Sequence, residues 1–403
     1  MNRVVITGLG AVSALGHDLR AHLEALRAGR SAIGPITIIP TEGLITKIGA
    51  EVRGFDGNAY FENGKLALLD RCAQFALIAT REAVAGSKVS FRQGLGSRTA
   101  VVIGAGVGGQ TTLDENYYRV YAERAKRLHP FTIPKLMISA AASHITMEHG
   151  ITGPSFTVAS ACASANHAIG IAFHMVRSGS VDVAITGGTE ATITFGTMKG
   201  WDALRVMAPD TCRPFCRDRK GMVLGEGAAV AVIETLDRAK ARGAQILAEI
   251  VGFGMSSDAG DIVLPSADGA AAAMRGCLAD ARLAPEDVDY INAHGTGTAA
   301  NDVTETKAIH AVMGGHAKRL AVSSTKSMHG HALGAAGALE LAATVIALRE
   351  GFIPPTANFT EADPQCDLDY VPNEARLQGI EVAMSNSFAF GGQNAVLAIR
   401  RFT

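Results

Sequence analysis

The feature that most constrains this chain is an alternation of short β-branched runs with alanine-rich helical stretches, told twice. "RVVITG" (3–8), "TAVVIG" (99–104), "SFTVAS" (155–160), "DVAITGG" (182–188) and "AAVAVIET" (228–235) read as strands, because β-branched residues pack well on a pleated sheet. A second series follows: "ILAEIVGFG" (246–254), "VDYINAHG" (288–295), "LAVSSTK" (320–326), "EVAMSNS" (381–387) and "NAVLAIRRF" (394–402). Between them, 163–178, 269–283 and 334–351 read as helices. The series resemble each other: "VDVAITGGTE" (181–190) is like "VDYINAHGTG" (288–297), and "AAVAVIET" is like "NAVLAIRR". This predicts an α/β protein of two pseudo-duplicated halves, 1–250 and 251–403. Helices would cover both faces of the sheets, which explains the near-continuous apolar strands.

Composition narrows the function classes. The 403 residues are 48% hydrophobic and 19% charged, with 45 glycines and a formal net charge of −1. That balance gives no sign of a nucleic-acid partner. Six cysteines, sparse and unpaired in spacing, suit a reducing cytosol. Cys212 and Cys216 have no second Cys or His pair nearby, which argues against a metal. The opening "MNRVVITGLGAVSALG" is broken by Gly8 and Gly10 and reads as a strand and turn rather than a leader. No uncharged apolar run is long enough for an integral membrane segment. "GAGVGG" (104–109) matches the dinucleotide-binding pattern G-x-G-x-x-G. The acidic residue expected about twenty positions on is missing, since "NYYRVYAERAKRLHP" (116–130) reads as a helix, so a closely packed turn is the better reading.

The chemistry gathers in four other stretches. In "TVASACASANHAIG" (157–170), Cys162 stands between a strand and a helix, the placement that exposes nucleophiles. A helix N-terminus favours thiolate, so its pKa is expected to fall. This stretch by itself leaves a buried structural cysteine equally open. "DYINAHGTGT" (289–298) supplies His294, and "SSTKSMHGHALGAAG" (323–337) supplies His331 at the start of a helix, where a neutral, proton-donating imidazole is expected. Either histidine alone reads as a core residue; with Cys162 the functional reading wins. His329, two residues before His331, is read as a turn residue. "SNSFAFGGQN" (385–394) supplies a glycine-rich loop whose N–H groups can face an oxygen. All four follow predicted strands, at the carboxyl ends where open α/β sheets build their sites.

These motifs, "SACASANHAIG", "NAHGTGTAANDVTE", "STKSMHGHALGAAGALE" and "NSFAFGGQNA", resemble those of the β-ketoacyl–acyl-carrier-protein synthases of the elongating type, over essentially the full length. The resemblance implies a thiolase-like fold with α-β-α-β-α layers and a decarboxylative condensation. Cys162 would carry the acyl chain. His294 and His331 would stabilise the enolate formed from malonyl thioester. Lys326 would support the site, with Glu340 as its partner. The N–H groups of Cys162 and Phe390 would form an oxyanion hole. Thr296 and Thr298 would bind phosphopantetheine, supplied by acyl carrier protein with no cofactor bound to the chain itself. Phe388, Phe390 and Gly391 would shape the gate, and Val107 would line the acyl pocket near the interface of a cytoplasmic homodimer. Thiolases carry a second catalytic cysteine; here the nearest, Cys366 in "DPQCDLDY", reads as a surface turn. Initiating synthases pair Cys and His with Asn, and His331 stands there instead. The chain departs from the family at Ala389 (usually Gly) and Gln393 (usually Thr). The usual basic docking segment reads "NGKLALLDR" (63–71), with only Lys65 and Arg71, which shifts docking toward Arg205, Arg213 or Arg217. "RPFCRDRKGMVLGEGAA" and "DPQCDLDYVPN" are similar to synthases of the rhizobial nodulation type, and the family resemblance leaves a specialised synthase of an unusual lipid or type II polyketide chain as the alternative. A non-catalytic chain-length partner subunit is the other alternative.

Overall fold

The computed structural model describes residues 1–403. Ten strands build the main sheet: β1 (Val4–Ser13), β2 (Thr99–Gly104), β3 (Ser155–Val158), β4 (Val183–Glu190), β5 (Gly227–Thr235), β6 (Ala248–Ser257), β7 (Tyr290–Asn292), β8 (Ala321–Ser323), β9 (Val382–Ala389) and β10 (Gln393–Arg400). The helices used below are α1 (Leu19–Arg27), α2 (Arg71–Ser87), α3 (Gln110–Tyr121), α4 (Ser164–Arg177), α5 (Phe195–Leu204), α6 (Ala267–Ala281), α7 (Ala299–Met313) and α8 (Ala336–Glu350).

The sheet runs β3-β2-β4-β5-β1 and then β6-β10-β9-β7-β8. Read from its far edge, the second half is the first with five added to each strand number. Directions repeat as well. β2 is parallel to β3 and β4, and β7 is parallel to β8 and β9. The inner pairs β4–β5, β5–β1, β9–β10 and β10–β6 are antiparallel. A short antiparallel join, Val4–Ile6 with Ala248–Ile250, stitches the halves together. α4 and α8 pack between the two halves, α2 covers the outer face of the first, and α6 covers that of the second. This is the expected five-layer arrangement.

Local residue choice explains the close layers. A Cβ on Gly8 would come within 2.0 Å of Ala83 O, and one on Gly10 within 2.1 Å of Ala79 O. The glycines that interrupt the first apolar run therefore let α2 lie directly on β1. No helix is long and apolar enough to cross a membrane.

Three readings need correction. "AAVAVIET" and "NAVLAIRR" are topological equivalents, β5 and β10, but "VDVAITGGTE" and "VDYINAHGTG" are not. They form β4 and β7, whose true counterparts are β9 and β2. The likeness reflects a shared strand-then-glycine-turn pattern, not a shared position. The stretch 116–130 is helical only to Tyr121, where α3 ends. Cys366 lies in the outer core of the second half, 3% exposed, rather than on the surface.

Candidate active site

Four segments converge at the carboxyl ends of parallel strands. After β3 the chain turns through Ala161, held at φ 47, and Cys162 sits in a single 3-10 turn before α4. A positive φ in a non-glycine residue is strained, and such strain is found where a side chain must be aimed. β7 leads to His294, β8 leads to Lys326 and His331, and the β9–β10 hairpin brings Phe388 and Phe390. Cys162, His294, His331, Thr296, Thr298, Phe388 and Phe390 line one cavity of about 170 Å³.

Geometry assigns the protons. The two imidazoles stand edge to face, centroids 5.4 Å apart. Leu333 N donates to His331 Nδ1 at 3.3 Å, so that nitrogen carries no proton and Nε2 is the N–H. Lys326 Nζ lies 3.4 Å from His294 Nδ1, and an ammonium only donates, so His294 also keeps its proton on Nε2. Burial, then the Lys326 charge, holds both rings well below the usual histidine pKa and therefore neutral. Neutrality was expected for His331, but burial rather than a helix terminus is its main cause. Lys326 is fully buried, donates to His294 O at 2.7 Å and is ion-paired with Glu340. Burial raises the Glu340 carboxyl against the pull of that ammonium.

The sulfur departs from expectation. Burial pushes the Cys162 thiol up to about 12. The Lys326 charge and the N–H groups of Cys162 and Phe390 oppose this, and Glu190 adds to it. Desolvation of a 7% exposed side chain thus outweighs the favourable dipole at the helix start. The two N–H groups that face the sulfur are those expected to form the oxyanion hole.

Other expected residues sort themselves. Phe388 packs by the His294 ring at 6.0 Å, and Phe390 lies against Trp201 of α5 at 5.8 Å. Thr296 and Thr298 join hydroxyls at 2.9 Å. Gly391 does not line the cavity; its N–H is taken by Ile262 O at 2.8 Å. Val107 is 48% exposed and lies outside the cavity of a single chain. Ala389 needs no glycine freedom, because the positive φ values fall on Gly391 and Gly392. Among the docking candidates, Lys65 pairs with Glu148, Arg71 with Glu226, Arg213 with Asp210 and Arg217 with Glu361. Arg205, exposed at the end of α5, is the one with no acidic partner.

Two buried carboxylates were missed. Glu190, at the end of β4, accepts N–H bonds from Gly106 (2.6 Å), Val107 (3.3 Å) and Gly334 (3.0 Å). It fills the glycine-rich turn that imitates a dinucleotide site. Glu305 of α7 does the same for the other half, accepting from His294 N and Gly295 N at 2.8 Å each. An acidic residue closing "AITGGTE" was the available signal for the first; the helical position of Glu305 offered none.

Comparison with known proteins agrees with this geometry. The family models "Beta-ketoacyl synthase, N-terminal domain" and "Beta-ketoacyl synthase, C-terminal domain" match residues 1–239 and 247–360. Nodulation protein E of Rhizobium sp. (strain N33) is 50% identical over 99% of each chain. The 3-oxoacyl-[acyl-carrier-protein] synthase 2 of Coxiella burnetii is 43% identical, covering 99% of this chain and 98% of its own. Among solved structures, the ishigamide ketosynthase/chain length factor superposes with a TM-score of 0.95 at 36% identity, each chain fully covered. With matches across both halves of its sheet, the chain belongs to the β-ketoacyl synthase family.

Proposed function

We propose that the protein is a 3-oxoacyl-[acyl-carrier-protein] synthase that condenses malonyl- and acyl-carrier protein at Cys162. The observation that carries this is the meeting of one sulfur, two Nε2–H donors and two backbone N–H donors in one cavity.

In the first step Cys162 Sγ attacks the acyl thioester. The carrier's phosphopantetheine thiol leaves and takes the proton that Cys162 gives up. The N–H groups of Cys162 and Phe390 receive the oxyanion. In the second step the malonyl carboxylate leaves as CO₂. The electron pair moves onto the thioester oxygen, where His294 and His331 donate from Nε2. The enolate carbon then attacks the acyl carbonyl, and collapse releases the Cys162 sulfur, which is reprotonated. Neutral imidazoles suit this role, since they donate without delivering a full proton. Thr296 and Thr298, at the same cavity, would bond the phosphopantetheine arm, and Arg205 would meet an acidic face of the carrier.

The sheet edge at β3, with Phe156 exposed, and the exposed Tyr117, Tyr118 and Tyr121 of α3 favour pairing of two copies as a homodimer. Six free, buried cysteines suit the reducing cytoplasm. Relatives include both a nodulation protein and a synthase named for carrier protein, so the chain made is either a common fatty acid or a specialised lipid. The chain-length-factor reading is disfavoured by the intact Cys162. Purified protein with acyl- and malonyl-carrier protein, over a series of chain lengths, should yield a 3-oxoacyl product. A folded protein giving none at any length would refute the reading.

A further inference from the structure

Between Lys326 and His331 stands His329, a residue the chemistry above does not use. Its ring is fully buried. Nδ1 lies 2.8 Å from Gly330 O, which only accepts, so Nδ1 carries the proton. Burial keeps the ring neutral, its pKa lowered to about 3. Nε2 therefore accepts, and the Thr325 hydroxyl donates to it at 3.0 Å. One imidazole thus ties the residue just before Lys326 to the residue just before His331.

Both anchors reach further. The Asn292 amide lies 3.5 Å from Thr325 Oγ1 and donates to Glu340 O at 3.3 Å, so the clamp connects to the helix that pairs with Lys326. Gly330 is held at φ 69, and a Cβ there would come 2.8 Å from Ala50 Cβ, so the turn has no slack on its other side. Behind the ring, His22 of α1 stacks with centroids 6.2 Å apart and planes at 28°. His22 is fixed by Ser13 Oγ at 3.0 Å, while its Nε2 is buried with no partner.

We propose that His329 is a positioning residue: by joining Thr325 to Gly330 it sets the spacing of Lys326 and His331, and through Lys326 the orientation of His294, with His22 as its backing. This rests on the enolate-binding reading of the two histidines.

The test splits the half-reactions in His329→Ala and in Thr325→Val, which removes only the hydroxyl. Release of CO₂ from malonyl-carrier protein needs His294 and His331; alkylation of Cys162 by iodoacetamide does not. A misplacement of about 1 Å is enough for a loss on the order of 10²-fold, so CO₂ release should fall by roughly that factor while alkylation stays within about two-fold. His329→Gln, which can still bond to one anchor, should recover part of it. Nitrogen-15 spectra give a reading independent of turnover: His331 is the Nε2–H tautomer in the parent protein and should become mixed in His329→Ala. Unchanged CO₂ release and tautomer in folded His329→Ala, or a proportional loss of CO₂ release and alkylation, would overturn the proposal. A parent protein that releases no CO₂, with His331 still becoming mixed in His329→Ala, would count against the enolate reading and leave the clamp standing.

Discussion

In the first half of the molecule the chain leaves β3 through Ala161 at φ 47 and enters α4; in the second it leaves the turn after β8 through Leu333 at φ 44 and enters α8. Both halves thus build a strained 3-10 turn at the same topological place. They load it differently. The first half places Cys162 there, whereas the second places Gly334, whose N–H goes to Glu190. The second half instead supplies His294, Lys326, His331, Glu340 and the Phe390 loop. Each half also ties down the loop after its middle parallel strand with a buried carboxylate, Glu190 for Gly106 and Glu305 for His294. On the proposed mechanism the duplicated scaffold would carry a division of labour: one half would hold the nucleophile, and the other the groups that manage negative charge.

If that division is real, Cys162→Ala should abolish acyl uptake completely, whereas Cys162→Gln should leave malonyl decarboxylation running. Both are read by intact mass and by CO₂ release. Replacing His294 or His331 with Ala should do the reverse. Acylation of Cys162 persists, while decarboxylation falls about 10²–10³-fold, as for loss of one charge-stabilising donor. A variant that loses both half-reactions equally would break the comparison.

The scaffold can be probed apart from the chemistry. Glu340→Ala leaves Lys326 buried and unpaired, so urea unfolding should show a loss of about 3–5 kcal/mol. A loss under about 1 kcal/mol would mean the ammonium reaches another partner.

The smallest effect belongs to Glu190→Gln. The Glu190 charge raises the Cys162 thiol, so its removal should speed alkylation at fixed pH. Burial also lifts the Glu190 carboxyl to about 7 from 4.5. A carboxyl that binds its proton more tightly when folded contributes stability present below about 4.5 and lost as pH rises through about 7. The variant should therefore lack that part of the decline in thermal midpoint. An identical pH profile would sink the assignment.

The sequence made much of this visible, for physical reasons. Strands buried on both faces read as continuous apolar runs, and β2 through β10 are foreshadowed within a few residues; β1 instead runs on through Gly8 and Gly10 to Ser13, where the sequence reads a turn. Cys162, His294 and His331 were legible because each follows a strand in a small-residue context. What stayed hidden depends on through-space partners. The rise of the Cys162 thiol comes from burial by loops distant in sequence. The bonds that Glu190 and Glu305 make run to backbone N–H groups of loops elsewhere in the chain; only for Glu190, at the end of its strand, did the sequence offer a signal. Cys366 was misread because a polar, proline-bearing stretch can still turn one side chain inward.

On this mechanism Cys162 would carry the acyl group in a site completed by the other half of the sheet. Intact-protein mass measurement after exposure to acyl-carrier protein tests it most directly. One acyl mass increment is expected on the parent protein, mapped to Cys162, cleared when malonyl-carrier protein is added, and absent from Cys162→Ala. An increment that survives in Cys162→Ala, or a folded parent protein that gains none, would contradict it.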